Sequence, residues 1–138
     1  MPRGEEEAVL DLLDWSASAD WPEEEVVEGL TAEELLIRYA AGERDFHGAV
    51  LGGVDLSTAQ LGGINLSGAD LRAANLSGAV LKGSNLREAC LQGANLSWAD
   101  LFGADLSGAE LSGADLKMAI IIRTRFRGTT MPDGSRRS

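Results

Sequence analysis

Cysteine is nearly absent from this chain. Its 138 residues include only Cys90, so no intramolecular disulfide can form, and a chain of this length can bury enough core to fold without one. A reducing compartment fits that usage. Histidine is equally scarce, with His47 alone. No Cys/His ligand spacing for zinc exists. No thiol–imidazole pair is expected either, because His47 and Cys90 are far apart along the chain. Proline is missing between Pro22 and Pro132. No apolar run approaches the length of a membrane span. The opening "MPRGEEEAVLDLLDW" puts acids where a secretion signal needs positive charge followed by an apolar stretch. The expected location is therefore cytoplasmic, with no membrane contact.

Excess positive charge is also lacking. The net charge of −10 is unevenly distributed. Residues 1–45 carry 14 acidic and 3 basic side chains, whereas residues 46–131 carry 7 of each. A nucleic-acid surface needs a basic stripe, and the larger region has none on balance, so direct nucleic-acid binding is not expected.

Three regions emerge. Residues 1–45 read as an acidic α-helical N-terminal cap. In "EEEAVLDLLDW", Val9, Leu10, Leu12, Leu13 and Trp15 share a broad face. "DWPEEEVVEGL" offers Asp20 as a cap, with Pro22 early in a helix where its missing donor costs little. "TAEELLIRYAAG" pairs Thr31 with Glu34 in a capping box, sets Leu35, Leu36, Tyr39 and Ala40 on an apolar stripe, and ends at Gly42. Residues 46–131 obey a rule of five, and 132–138 form a tail.

Under that rule Phe46, the fourteen leucines from Leu51 to Leu116, Ile121, Phe126 and Met131 fall at every fifth position. Ala precedes twelve of these eighteen by two, with Val54, Ile64, Ser84 and Thr124 among the exceptions, and Gly follows eleven by two. Five residues turn an α-helix by about 500°, so these leucines would never form one stripe. A continuous strand fails as well, because an odd period sends alternate leucines to opposite faces. Positions i−2 and i can share an inward face if the chain then turns a corner, and Gly and Ser supply the corner. Repeated corners of one hand wind a coil whose axis the leucines fill, an all-β solenoid. The residue before the leucine is Asp or Asn at every tenth position from Asp55 to Asp115, which implies an even number of pentapeptides per turn.

The pattern A-(D/N)-L-X-X, carried by "ADLRAANLSGA" and "ANLSWADLFGADLSGAELSGADL", resembles the pentapeptide-repeat family, in particular bacterial, cyanobacterial-like members with an N-terminal helical cap. The resemblance implies a right-handed quadrilateral parallel β-helix with four pentapeptides per coil, hence about four coils here. Most members have no known activity. The best understood mimic DNA, bind DNA gyrase, a type II topoisomerase, through an acidic rod, and dimerise through their C-terminal ends. The neutral rod here departs from that acidic pattern.

A coil of four pentapeptides stacks residues twenty apart. Asn65, Asn85 and Asp105 then fall in one column, and Asn75, Asn95 and Asp115 in another. They are expected to form structural polar ladders that bond along the stack. Asp105 under Arg125 is expected to make an exposed ion pair. Trp98, Phe102, Met118, Ile120 and Ile122 stand at outward positions otherwise held by small or charged residues. They mark a patch for a protein partner or a homodimer, unless the tail after Phe126 folds back to cover it. In "IIIRTRFRGTT", Ile122, Thr124 and Phe126 are expected on one strand face and Arg123, Arg125 and Arg127 on the other. The arginines suit either an acidic partner or protection of the open end against pairing with another chain. No catalytic residue, metal site or cofactor is expected, and a leucine-filled rod offers no substrate cavity. The function expected is a non-enzymatic scaffold for protein interaction, with gyrase inhibition or protection by DNA mimicry as the alternative that the resemblance implies.

Overall fold

The computed structural model describes residues 29–138. The two helices expected within residues 1–28 lie outside the described residues. Helix α1 spans Ala32–Ala40. Thr31 caps it reciprocally: the Glu34 N–H donates to Thr31 Oγ1 at 3.0 Å, and the Thr31 N–H donates to Glu34 Oε1 at 2.9 Å. Gly42 follows the last turn at φ +103°, the left-handed conformation that glycine takes without penalty after a helix. The helix lies across the first coil with Leu35 fully buried and Ala32 and Tyr39 partly so. The Tyr39 hydroxyl donates to the Gly62 carbonyl at 2.7 Å. Leu36 and Ala40, expected on the buried stripe, are exposed. Only positions 32, 35 and 39, spaced three and four apart, fall within the narrow width of a single coil.

Beyond α1 the chain winds with a twenty-residue period. Parallel bridges pair Asp45 with Asn65, Val50 with Asp70, Asp55 with Asn75 and Gln60 with Val80, and each column continues upward. Four columns make four sides. We name them A, B, C and D after the bridges at Asp45, Val50, Asp55 and Gln60.

Each side is one bridged residue long, and the reason lies in the backbone donors. Five N–H groups must be satisfied per pentapeptide. In Asn65–Ala69, the Asn65 N–H donates to the Arg44 carbonyl one coil below, and those of Leu66 and Gly68 donate to Asn85 and Arg87 one coil above. The Ala69 N–H turns back to the Leu66 carbonyl. The Ser67 N–H is taken by the side chain of Asn65 at 3.0 Å. All five have partners, so the corner is as fully bonded as the side. The corner residue two past the leucine sits at positive φ. Glycine fills eleven of these corners, among them Gly68 at +67°, while Thr58, Ala73, Glu88, Trp98, Met118 and Arg123 hold the same conformation with a side chain.

Inside, the leucines from Leu51 to Leu111 are at most 1% exposed and pack with the alanines two positions before them. The stack ends on side D at Ile121, which has no coil beyond it. Expected on the axis, it is 46% exposed. The segment 120–127 is not one strand, because the chain turns at Arg123 (φ +59°). Ile122 therefore points to solvent, while Thr124 and Phe126 are partly buried.

The inward position two before the leucine discriminates sharply between side chains. Thr124 and Thr129 occupy it near the open end and donate to the Leu101 and Leu106 carbonyls at 2.8 and 2.6 Å. Ser84 occupies it mid-stack with its hydroxyl buried and unpartnered. An unmet buried hydroxyl costs about 1–3 kcal/mol. Ser84→Ala should therefore stabilise the chain by about 1 kcal/mol, whereas Leu86→Ala next to it should cost about 2–5 kcal/mol. Urea unfolding of the two variants checks both signs.

Candidate interaction surfaces

Two surfaces stand out near the C-terminal end. The first is apolar. Trp98 and Met118 stack on the corner between sides C and D, Ile120 lies on side D, and Phe102 and Ile122 stack on the next corner. Trp98, Met118 and Ile122 are 64, 60 and 62% exposed, and Phe102 and Ile120 are also open to solvent. They occupy two neighbouring corners and the side between them, and Ile121 is exposed beside them at the end of the stack. The tail does fold back, but elsewhere. Arg136 bridges antiparallel to Thr130, the Arg137 N–H donates to the Thr129 carbonyl at 2.9 Å, and Arg137 lies over the Phe126 ring. It covers the last corner between sides A and B and leaves the apolar face bare.

Two of these residues also carry a backbone cost. Trp98 and Met118 sit at φ +63° and +61°, where a side chain costs about 1–2 kcal/mol over the right-handed conformation. The chain thus holds two large apolar groups outward at corners, in the conformation that Thr58, Ala73, Glu88 and Arg123 also adopt. The repeat pattern alone treats Ile121 as one more axial residue, and its exposure follows from where the stack ends.

The second surface is basic and lies on the corner between sides A and B. Arg87 and Arg125 approach Asp105 at 3.7 and 3.9 Å. With Arg127 and Arg137 they line an open recess of about 670 Å³. The expected pair of Asp105 with Arg125 is therefore present, and Arg87 joins it from the coil below.

The polar columns bond differently from the ladders expected. Asn65, Asn85 and Asp105 stack through their backbones, as do Asn75, Asn95 and Asp115. Their side chains mostly turn along the chain rather than along the stack. Each accepts the N–H two residues ahead: Ser67, Arg87 and Ser107 in one column, Ser77, Ser97 and Lys117 in the other. Asn65 alone also reaches down, donating to Asp45 Oδ1 at 3.2 Å. The corner N–H has no other acceptor, and a short Asn or Asp side chain reaches it with little loss of freedom.

The same caps shift the carboxylates. The Ser57 hydroxyl, then its N–H, holds Asp55 below the usual range; Ser135 does the same for Asp133, and the Arg72 side chain for Asp70. For Asp105 partial burial is the largest single influence and raises it. The Ser107 hydroxyl and N–H, with Arg87 and Arg125, together outweigh burial, and the net direction is down. Groups depressed in the fold stabilise it above their unfolded pKa of about 3.9 and lose that contribution as pH falls through the folded value. Tm should be level near neutrality and fall as pH drops below about 4. In Asp105→Asn, which keeps the acceptor, the fall between pH 4 and pH 2 should be smaller. Melting curves across that range check it.

Among the described residues, no group of His, Cys, Asp and Glu side chains is placed to hold a metal ion, and no helix is long and apolar enough to cross a membrane.

The model of the family described as pentapeptide repeats matches in eight copies over residues 64–101 and 94–131. A solved structure from Nostoc PCC 7120, the pentapeptide repeat protein alr5209, is 44% identical over 68% of this chain and 74% of its own, with a TM-score of 0.41. The chain belongs to the pentapeptide-repeat family. Rfr23, a pentapeptide repeat protein of the cyanobacterium Cyanothece 51142, is 35% identical over 68% of this chain, with a TM-score of 0.64. The chain spans 64% of that protein's length. QnrB1, a plasmid-mediated fluoroquinolone resistance protein, is 24% identical over 55% of this chain, with a TM-score of 0.38, too distant to carry a functional argument. No curated protein matches. Membership of the pentapeptide-repeat family implies a right-handed quadrilateral β-helix, consistent with the four columns of bridges.

Proposed function

We propose that this pentapeptide-repeat protein is a non-enzymatic scaffold that presents a rigid β-helix surface to a protein partner. One observation carries the reading: Trp98, Phe102, Met118, Ile120 and Ile122 form an open apolar face beside the uncovered end of the stack. Contiguous exposed apolar groups of this size mark interfaces, and aromatic and methionine side chains are enriched at interface cores. Trp98 and Phe102 supply the anchors.

The rod suits such a role. Its leucine axis is filled and most of its backbone donors are met within the stack, so the face is held without reorganisation, and a rigid binding surface loses less entropy on association. The acidic residues 1–45 are a separate region in this reading, with α1 covering the first coil. Gyrase inhibition has no specific support here: residues 46–131 carry equal numbers of acidic and basic side chains.

Pull-down from native lysate tests the proposal, with wild type and Trp98→Ser/Phe102→Ser compared side by side. Both side chains are exposed, so the double variant should melt as the wild type does. A protein retained by the wild type and lost from the variant is the expected result. Equal retention by both would remove Trp98 and Phe102 from the interface.

A further inference from the structure

We propose that residues 1–28 of this chain dock along the corner between sides A and B, where an arginine-lined groove receives their acidic side chains. This surface is separate from the apolar face and does not depend on its role.

The first argument is position. The described chain starts on side B, next to the foot of this corner, where the Leu30 N–H donates to the Val50 carbonyl at 2.9 Å. Gly29 and Leu30 line a recess there with His47 and Val50. His47 also borders a second recess above it, which reaches Arg87. Arg87 in turn borders the third and largest, with Arg125, Arg127 and Arg137. Shared residues make the three recesses one path up the corner, beginning where the preceding segment must arrive.

Charge supplies the second argument. Four arginines line the top of the path, and Asp105 serves two of them, Arg87 and Arg125. Asp45 at the foot and Glu88 midway oppose, but the top keeps four arginines against Asp105. Residues 1–28 hold ten acidic side chains against Arg3 alone. Acid and base are thus segregated to the two partners of one contact, the arrangement that fixes register and steers docking. Phe126 under Arg137 adds an apolar surface, and Val9, Leu12, Leu13 and Trp15 are available to meet it.

Length is sufficient. From His47 to Arg127 the path climbs four coils, about 19 Å at the usual spacing between strands. Twenty-eight residues span about 42 Å even at the short rise of a helix, so one segment can cover the whole path from its own chain.

Tryptophan fluorescence gives the test. The chain has three tryptophans, and in a Trp98→Phe background only Trp15 and Trp21, both in the segment, emit. In the full chain their emission should lie at shorter wavelength than in the denatured chain. It should move to longer wavelength in Arg125→Glu/Arg127→Glu and at high salt, where screening shortens to about 3 Å. The segment-side variant Glu23→Gln/Glu24→Gln/Glu25→Gln leaves the rod untouched and should give the same shift. Unchanged circular dichroism confirms that each variant is folded. Emission that both sets of substitutions leave unmoved would overturn the proposal. So would a shift that appears on dilution alone, because the groove would then be filled by a second copy of the chain.

Discussion

The regular corners of this structure depend on one backbone donor, the N–H at the start of each corner. Four of the five donors in a pentapeptide such as Asn65–Ala69 find carbonyls in the coil or its neighbours, and the fifth, at Ser67, faces outward with no carbonyl in reach. At eleven corners an Asp, Asn or Glu before the axial residue supplies the missing acceptor, whereas Val50, Val80, Cys90 and Ile120 have no side-chain oxygen to offer. That single contact explains why Asp or Asn stands there so often and why Ser commonly follows the leucine. Once the corner is closed, the next leucine points inward and the coil returns to register after twenty residues.

The sequence shows this machinery unevenly. The solenoid, its axis and its even-numbered coil are legible, because burial repeats at a fixed spacing and only one geometry brings every fifth side chain inward. The α1 cap is legible from Thr31 and Glu34. The direction of the Asn and Asp side chains is not, since a column of amides suggests bonding along the stack just as well. Only the count of backbone donors reveals that the corner needs them more. Ile121 and Leu36 mislead for a related reason: the pattern identifies apolar positions, but burial also requires something on the other side, and at the two ends of a solenoid one neighbour is missing.

The outward groups show the converse. Trp98, Phe102, Met118, Ile120 and Ile122 are visible in the sequence as departures from the rule, because a regular repeat makes every departure conspicuous. What the sequence leaves open is whether the tail covers them. The tail pairs with Thr129 and Thr130 instead, closing the corner beside Phe126. One end of the rod thus carries two dissimilar surfaces, an apolar face and an arginine groove, separated by side A. A regular scaffold can hold both because its sides and corners are nearly equivalent, and substituting an outward residue leaves the axis unchanged.

The central claim is that the apolar face is open in the isolated chain and covered by another protein in its native setting. Oxidative footprinting of Trp98 and Met118, read by mass spectrometry, addresses it directly. The account requires rapid labelling of both in dilute purified protein and protection of both in native lysate. Equal labelling in the two settings would contradict it.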